Sequence, residues 1–537
     1  MRLKIAYADV AVGAKEAFTP TATGVTGISE PALLKQDEAL GDFANYCELN
    51  SVLLDESLAV SPDDTSGLFA LVSNVISGDD GSFSTPVVLT LTASGQYTSQ
   101  GITLYFDRTT NRYATAVNIK WYRDSTLLAD VDFTPDSAEY FCEYKVENYN
   151  KLIITFSAMN MPQNRLYVTG IQYGTVRIFQ NSDIQDFTLL QEVDPLSETI
   201  SINTMDFSLK QSNSIDFIFQ EKQTMYTYFD DELVSTTFVT SHNRNSADSY
   251  SIKTEDYISL LEDTPFMGGI YSAKSVPTLI GEILDPLDIP YEIETELQSQ
   301  TVTGYIPAGT CRTALTQVAF AIGAVVDTSY SKLIKIYSLS DTISAVLDNT
   351  NTFTGQTTRT RDKLTELHLT AYSYVATTNT YTAYNAADSG TGTAIKVTFP
   401  EPLHSLSIAN GSITESGANY AIITANAGCV LIGKRYDKTQ SVTVVRNPLV
   451  LAGDKENIKE LTDYTLVNRQ NAETLANKCF AYYSARQQIS ERIIAGSIRV
   501  GDKVTQKYDY MDDISGRIIS MKYPVSGTAK VAEVTIT

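Results

Sequence analysis

The sequence has 537 residues, enough for about three or four domains of ordinary size. Its net charge of −23 argues against a nucleic-acid-binding surface, because neutralising phosphates requires clustered Lys and Arg. The five cysteines are scattered without CxxC or comparable spacing, which predicts buried free thiols and suggests neither a disulfide scaffold nor a zinc site. No apolar run is long enough for a membrane span, and the first residues do not form a signal peptide. We therefore expect a mainly β protein made in a cytoplasm.

The first part of the chain changes character near residue 30. Residues 1–29 contain one strand-like run and then become rich in Gly, Thr and Ala, which predicts an N-terminal arm. Over residues 30–173, short alternating runs are bounded by Ser, Gly, Asp or Asn. This spacing predicts a jelly-roll sandwich.

Two stretches of this sandwich, residues 43–55 and 101–107, resemble the opening and a central strand pair of discoidin-like domains. Such domains often bind carbohydrate through aromatic side chains at loop tips. The resemblance therefore implies glycan binding as one hypothesis, beside a packing or spacer role. Trp121 is the only tryptophan and lies in mid-strand, which favours a core position.

Residues 174–253 read as a small β-barrel with an acidic surplus. Short Ile-, Val-, Phe-, Tyr- and Thr-rich runs alternate with turn residues at intervals of about ten. From Asp183 to Asp263, sixteen Asp and Glu stand against four Lys and Arg. The fold does not require this surplus. Nine acidic residues are candidates for a functional surface: Asp183, Asp186, Glu192, Asp194, Glu198, Asp206, Asp230, Asp231 and Glu232.

The period changes to that of helices over residues 254–350. Helices are predicted at 254–261, with Thr254 as N-cap, at 276–284, and at 310–323, where Gly323 would end the helix. With two following strands, this region reads as a compact α/β insert domain.

Strands return over residues 351–537, with a helix at 468–490. Residues 434–507 carry thirteen Lys and Arg against eight acids, a polarity suited to self-association.

The order of elements from residue 171 onwards is similar to that of the phage tail hub family. These are the baseplate hubs of contractile tails and the tail-tip proteins of long non-contractile tails. The phrases that carry the resemblance are Glu192-Val-Asp-Pro195, the strand at 200–207, Gly501-Asp502 and Gly516-Arg-Ile-Ile-Ser520. It covers about two thirds of the chain, and it implies that residues 174–253 and 351–537 are two tube-protein-like β-barrels around the α/β insert.

The resemblance implies a structural role in a virion tail, in a phage or a tail-like bacteriocin, after synthesis in the host bacterial cytoplasm. Such hubs are homotrimers whose six barrels form a pseudo-hexameric ring between the six-fold tail tube protein and a three-fold spike or tip protein. Tape measure and baseplate wedge proteins are further expected partners. DNA would pass through the ring during genome ejection without specific binding. The nine acids would then line a lumen that repels phosphate, or lie on a solvated outer face.

An enzyme is not expected. The three histidines are far apart in sequence, and no nucleophile elbow, HExxH or phosphate-binding glycine loop occurs. We accordingly expect no catalytic residue, no cofactor-binding or metal-binding residue, and no cofactor. The alternative to the hub is an adhesin-type tail component that binds glycan through the N-terminal sandwich.

Overall fold

The computed structural model describes residues 2–27, 29–35, 70–108, 110–210, 219–246, 248–386, 392, 394–508, 512–524 and 530–537. Strands dominate, which confirms the predicted mainly β fold with helices concentrated in an insert. The chain forms two compact units. The N-terminal unit contains Ile5–Phe179 and Gln211–Met225, and the main unit contains Met1–Lys4, Gln180–Lys210 and Tyr226–Thr537.

The N-terminal unit is built from antiparallel strands. These are β1 (Leu3–Val10), β2 (Thr19–Thr23), β3 (Leu71–Val72), β4 (Ser82–Phe106), β5 (Ala114–Arg123), β6 (Thr126–Phe133), β7 (Glu139–Met159), β8 (Tyr167–Gln172) and β9 (Gly174–Gln180). A short helix, α1 (Ala14–Ala17), and a 3-10 turn at Pro31–Lys35 accompany them. The sheet order is β3-β8-β4-β7-β5-β6, β2 pairs with β4, and β1 pairs with β9.

The two longest strands, β4 and β7, organise the core of this unit. They pair along most of their length, so that apolar side chains on one side of both strands meet in one cluster. Trp121 on β5 is fully buried in that cluster, as its mid-strand position predicts. Residues 101–106 lie in β4, whereas residues 43–55, the other part of the discoidin-like resemblance, lie outside the described residues.

The first 27 residues differ from the predicted arm. They form β1, α1 and β2, and Phe18 is fully buried with its ring stacked on Tyr173 at a centroid distance of 4.8 Å. Ala11 and Ala14 join the same core cluster. The small residues that suggested an extended arm are therefore the ones that allow close packing against the sandwich.

The main unit contains more numerous and shorter elements. Its strands are β10 (Ile184–Glu192), β11 (Thr204–Lys210), β12 (Thr224–Phe229), β13 (Glu232–Arg244), β14 (Ser249–Glu255), β15 (Pro265–Phe266), β16 (Gly269–Ser275), β17 (Tyr291–Ile293), β18 (Thr301–Ile306), β19 (Gly309–Thr310), β20 (Val325–Asp327), β21 (Ile334–Tyr337), β22 (Ile343–Leu347), β23 (Thr357–Thr360), β24 (Glu366–Ala386), β25 (Ala394–Thr398), β26 (Leu403–Ser416), β27 (Tyr420–Arg446), β28 (Ile458–Leu461), β29 (Gln487–Ile494), β30 (Lys503–Gln506), β31 (Ile514–Pro524) and β32 (Val531–Ile536). Its helices are α2 (Tyr257–Glu262), α3 (Val276–Leu284), α4 (Thr295–Gln298), α5 (Cys311–Ile322) and α6 (Ala472–Ser484), with a 3-10 turn at Asp285–Leu287.

One sheet joins the two regions that were predicted as separate barrels. Its order is β23-β29-β32-β31-β10-β11-β14-β13-β12, and β30 adds to β31 and β22 to β30. The junction is the antiparallel pair of β10 and β31, in which Leu189 lies opposite Tyr523 and Glu192 opposite Ser520. Strands at the two ends of the hub-like region thus share one backbone ladder.

The α/β insert between these strands has its own core, formed by α2, α3, α5 and the strands around them. Helix α5 starts at the N-cap Thr310 and ends at Gly323, whose φ of 67° requires the left-handed conformation that glycine adopts freely. Helix α3 has the predicted bounds. The N-cap of α2 is Asp256, whereas Thr254 lies in β14, because the strand runs two residues further than its sequence suggests.

A second, five-stranded sheet is formed by β24 to β28. Its order is β25-β27-β24-β28, and β26 pairs with the other side of β27. β24 is long and continues through a Thr- and Asn-rich stretch to Ala386. Helix α6 packs its buried residues Leu475, Ala476 and Cys479 with those of β24. It is shorter than the predicted 468–490 because β29 starts at Gln487.

Candidate functional site

The nine acidic candidates separate into several local environments in the main unit. Three lie around a groove between β10 and α6, three lie in the turn between β12 and β13, two lie on the outer side of β10 and β11, and Asp183 lies in a turn. Asp183 accepts a hydrogen bond from the backbone N–H of Gln180 at 2.8 Å. The nine acidic residues predicted from the sequence therefore do not form one continuous surface.

Glu192, Asp194 and Glu198 line a groove of about 410 Å³ together with Arg361 and Tyr483. Asp194 accepts the backbone N–H groups of two residues that follow it, at 2.9 Å each, and so holds the turn after β10. Glu198 pairs with the Lys459 ammonium at 3.2 Å and accepts the hydroxyl of Tyr483. Burial, and then the neighbouring Glu198 carboxylate, raise the pKa of Tyr483 well above its usual range. Two of these three acids are thus engaged in holding the local structure.

Asp230 and Asp231 form the tip of the β12–β13 turn, where both have positive φ. The backbone N–H of Arg2 donates to the Asp230 carboxylate at 2.7 Å. The side chains of Arg2 and Lys4 reach Asp231 at 3.0 and 3.2 Å. The charge of this turn is therefore balanced by the first residues of the chain.

The negative charge of Glu232, the next residue, is balanced by two cations from the C-terminal part of the chain. It pairs with Arg499 at 2.6 Å, and Lys530 lies 3.9 Å away. The Lys530 ammonium lies 5.1 Å from the ring centroid of Tyr330 and 5.8 Å from that of Tyr523. Burial lowers the pKa of Lys530. The ring quadrupoles of these aromatic side chains attract the cation and offset part of the cost of its burial.

Asp186 and Asp206 lie on the outer, exposed side of the large sheet. Lys253 on β14 lies directly opposite Asp206. Further along the same sheet, Glu533 has Lys522 as its neighbour on one strand and Arg492 on the other. Opposite charges at directly paired positions attract each other. The outer side of this sheet is therefore a charge-balanced polar surface, in which Ser and Thr fill many of the remaining positions: Thr188, Ser208, Ser251, Ser490, Ser520 and Thr535.

Two buried carboxyl groups were not among the sequence candidates. Asp256 is 1% exposed and accepts hydrogen bonds from Ile258 N and Asn203 N at 3.0 Å each and from Thr328 Oγ1 at 2.6 Å. Burial raises its pKa to about 7, while these three hydrogen bonds act in the opposite direction. This network connects β11, α2 and the end of β20.

Glu491 lies on the inner side of β29, between the buried Ile489 and Ile493. Its Oε2 accepts from Gln356 Nε2 at 3.2 Å, whereas its Oε1 is buried and has no hydrogen-bond partner among the described residues. Burial raises the pKa of Glu491 to about 7. The sequence pattern could have predicted that Glu491 is buried. Positions 489, 491 and 493 lie on the same side of a strand, and two of them are isoleucine.

The described residues contain no cluster of three or more His, Cys, Asp or Glu side chains arranged to hold a metal ion. Four cysteines, Cys142, Cys311, Cys429 and Cys479, are buried free thiols, and Cys47 lies outside the described residues. Helices long and apolar enough to cross a membrane do not occur in the described part of the chain.

No protein-family model and no curated protein matches the sequence. Among solved structures, the chain is similar to a tail protein from Neisseria meningitidis, with 12% identity and a TM-score of 0.43 over 67% of this chain and 93% of that one. The 43 kDa tail protein of prophage MuSo2 from Shewanella oneidensis gives 12% identity and a TM-score of 0.43 over 67% and 95%. Prophage tail protein gp18 from Listeria monocytogenes gives 12% identity and a TM-score of 0.41 over 67% and 90%. At TM-scores below 0.5, none of these likenesses assigns a function to this chain.

Proposed function

We propose that the protein is the structural hub of a phage tail or tail-like particle. Three copies form a pseudo-hexameric ring that joins the six-fold tail tube to the three-fold spike or tip and surrounds the channel for the genome. Its partners are further copies of itself, the tail tube protein and the spike or tip protein, with tape measure and baseplate wedge proteins as additional neighbours. The role is structural, without catalysis or a cofactor.

The observation that carries this proposal is the shared sheet of the main unit. Strands β10 to β14 and strands β29 to β32 come from chain segments on either side of the α/β insert, yet they meet through the β10–β31 pair. Two β regions that flank an insertion are what duplication of a ring element, followed by insertion, would give. Three copies would then supply six such regions, which suits a partner with six-fold symmetry on one side and three-fold symmetry on the other.

The polar side of this sheet also suits a channel wall. A wall past which DNA moves must not bind phosphate tightly, and binding requires clustered cations that release counterions. The Lys and Arg on this side, such as Lys253 and Arg492, lie opposite Asp206 and Glu533. A surface of paired charges and hydroxyl groups would let DNA slide without a fixed binding register.

The glycan-binding alternative has weaker support. It requires exposed aromatic side chains at loop tips, whereas Trp121 is fully buried. The exposed apolar side chains described in the N-terminal unit include the aliphatic Leu127 and Leu128 on β6 and one aromatic residue, Tyr144, which lies within β7 and not at a loop tip.

The experiment is the solution mass of the purified protein by light scattering, alone and with tube and spike proteins, followed by particle images. We expect a mass of three chains and an axial hole in at least the mixed sample. A protein that stays monomeric in the presence of both partners, and that binds cell-wall glycan through residues 30–173, would refute the hub and establish the adhesin alternative.

A further inference from the structure

The second half of β27 has an open side. Up to Arg435, β26 pairs with one side of β27 and β24 with the other. From residue 436 to Arg446 only β24 continues, and no described strand pairs with the second side. An open strand edge presents backbone N–H and C=O groups at every second residue to an incoming chain. Eleven residues are a long edge, and natural proteins usually protect such edges.

A groove of about 660 Å³ runs beside this edge. We call it the edge groove and define it by Ser441 and residues 443–446 of β27, Ala371 as its floor, and Arg469, Glu473 and Asn477 on the opposite wall. Arg469 lies in the turn before α6, and Glu473 and Asn477 lie one turn apart on the helix itself. A neighbouring groove of about 530 Å³ continues past Arg469 to Thr439 of β27. A strand edge facing a helix across a groove is the arrangement in which proteins add an extended peptide to a sheet.

The side chains around the edge groove specify the chemistry of such a peptide. Arg469 is exposed and has no hydrogen-bond or ion-pair partner among the described residues. Arg446 pairs with Glu366 at 3.0 Å but keeps 80% of its side chain exposed. Val442 and Val444 are 55% and 44% exposed and share with Arg446 the face of β27 that is turned away from α6. A strand added here would place acidic residues near Arg469 on the α6 side and apolar β-branched residues beside the two valines on the other side.

We propose that the edge groove is a docking site for an extended acidic segment of a partner protein, which adds to β27 as a further strand. The segment has about six to eight residues, since eight residues of strand span roughly 26 Å. Its residues alternate between Val- or Ile-like side chains and Asp, Glu or Thr. The inference does not depend on the hub function, because it uses only the contacts within the main unit.

The test uses the full-length protein and a fluorescein-labelled peptide of eight residues in which Val alternates with Asp and Thr. Fluorescence anisotropy gives its Kd for the wild-type protein and for Arg469→Glu, Arg469→Lys and Lys507→Glu. Arg469 and Lys507 are both exposed, so the two charge reversals change net charge equally without disturbing the core. We expect Arg469→Glu to weaken binding at least tenfold, and Arg469→Lys and Lys507→Glu to change it less than threefold.

Two further peptides separate strand addition from simple charge attraction. A version N-methylated at alternate residues cannot donate its backbone hydrogen bonds and should bind at least tenfold more weakly. A version with Lys in place of Asp should also bind more weakly. Equal binding of any of these peptides, an equal effect of the two charge reversals, or no binding at millimolar peptide would overturn the proposal. A change in the protein's own association state with Arg469→Glu, without a change in peptide affinity, would identify a second copy as the occupant and would equally overturn it.

Discussion

Replacing Glu491 by Gln should make the protein more stable at alkaline pH. Glu491 lies on the inner side of β29, where Gln356 supplies one hydrogen bond and Oε1 has no partner among the described residues. A glutamine has nearly the same shape and carries no charge. The substitution therefore removes the cost of a buried carboxylate without creating a cavity.

The size of the effect follows from the pKa. Burial raises the pKa of Glu491 from 4.5 to about 7, a difference of about 2.5. At 1.36 kcal/mol for each pKa unit this is roughly 3 kcal/mol, and partial hydration of the carboxyl reduces it to about 1–3 kcal/mol. Because the folded-state pKa is the higher one, the protonated group contributes its full stability below about pH 4.5. That contribution is lost as the pH rises through 7.

The assay is urea unfolding of wild type and Glu491→Gln between pH 5 and pH 9, followed on the transition of the main unit. The two proteins should differ little near pH 5, and the variant should be more stable by about 1–3 kcal/mol at pH 8.5. Glu533→Gln is the matched control, because Glu533 is exposed on the neighbouring strand. A stability difference that does not change with pH, or a variant less stable than wild type at pH 8.5, would refute the reasoning.

Three further substitutions test the structure. Asp256→Ala leaves three buried donors without an acceptor and removes the N-cap of α2, so urea unfolding should show a loss of about 3–5 kcal/mol, against less than about 0.5 kcal/mol for the exposed Asp263→Ala. Gly174→Ala would place a Cβ 2.0 Å from the Asp9 carbonyl oxygen at a φ of 144°, and should lower the stability of the N-terminal unit by more than about 2 kcal/mol, whereas Gly27→Ala meets open space. Trp121→Ala should cost about 3–5 kcal/mol in the same unit by thermal unfolding, and a cost as small as that of Leu127→Ala, at an exposed position, would contradict the packing.

Local signals in the sequence predicted the helices of the insert well. Thr310 and Gly323 were correctly predicted as the two ends of α5, because an N-cap and a left-handed C-terminal residue depend only on a few neighbouring residues. The same locality explains the errors. Thr254 and Asp256 both suit an N-cap, and only the length of the pairing between β14 and β11 decides between them.

Long-range features left no such signal. The pairing of β10 with β31 joins residues about 330 positions apart, and no periodicity within either strand points to the other. The acidic candidates failed to form one surface for the same reason, because their partners Arg2, Lys459 and Arg499 are distant in sequence. The buried Glu491 is the exception, since its parity with Ile489 and Ile493 could have identified it.

The β10–β31 pair also has a consequence during synthesis. At about 5–20 residues per second, a ribosome needs roughly 15–70 s to make the residues that separate Leu189 from Tyr523. During that time β10 has left the ribosome while the strand that completes its ladder has not been made. The nascent chain therefore exposes one side of β10 to other nascent chains on the same message, where mispairing competes with folding. Slower translation of the insert would lengthen this interval, and a chaperone that covers β10 would shorten the time for which it is open to wrong partners.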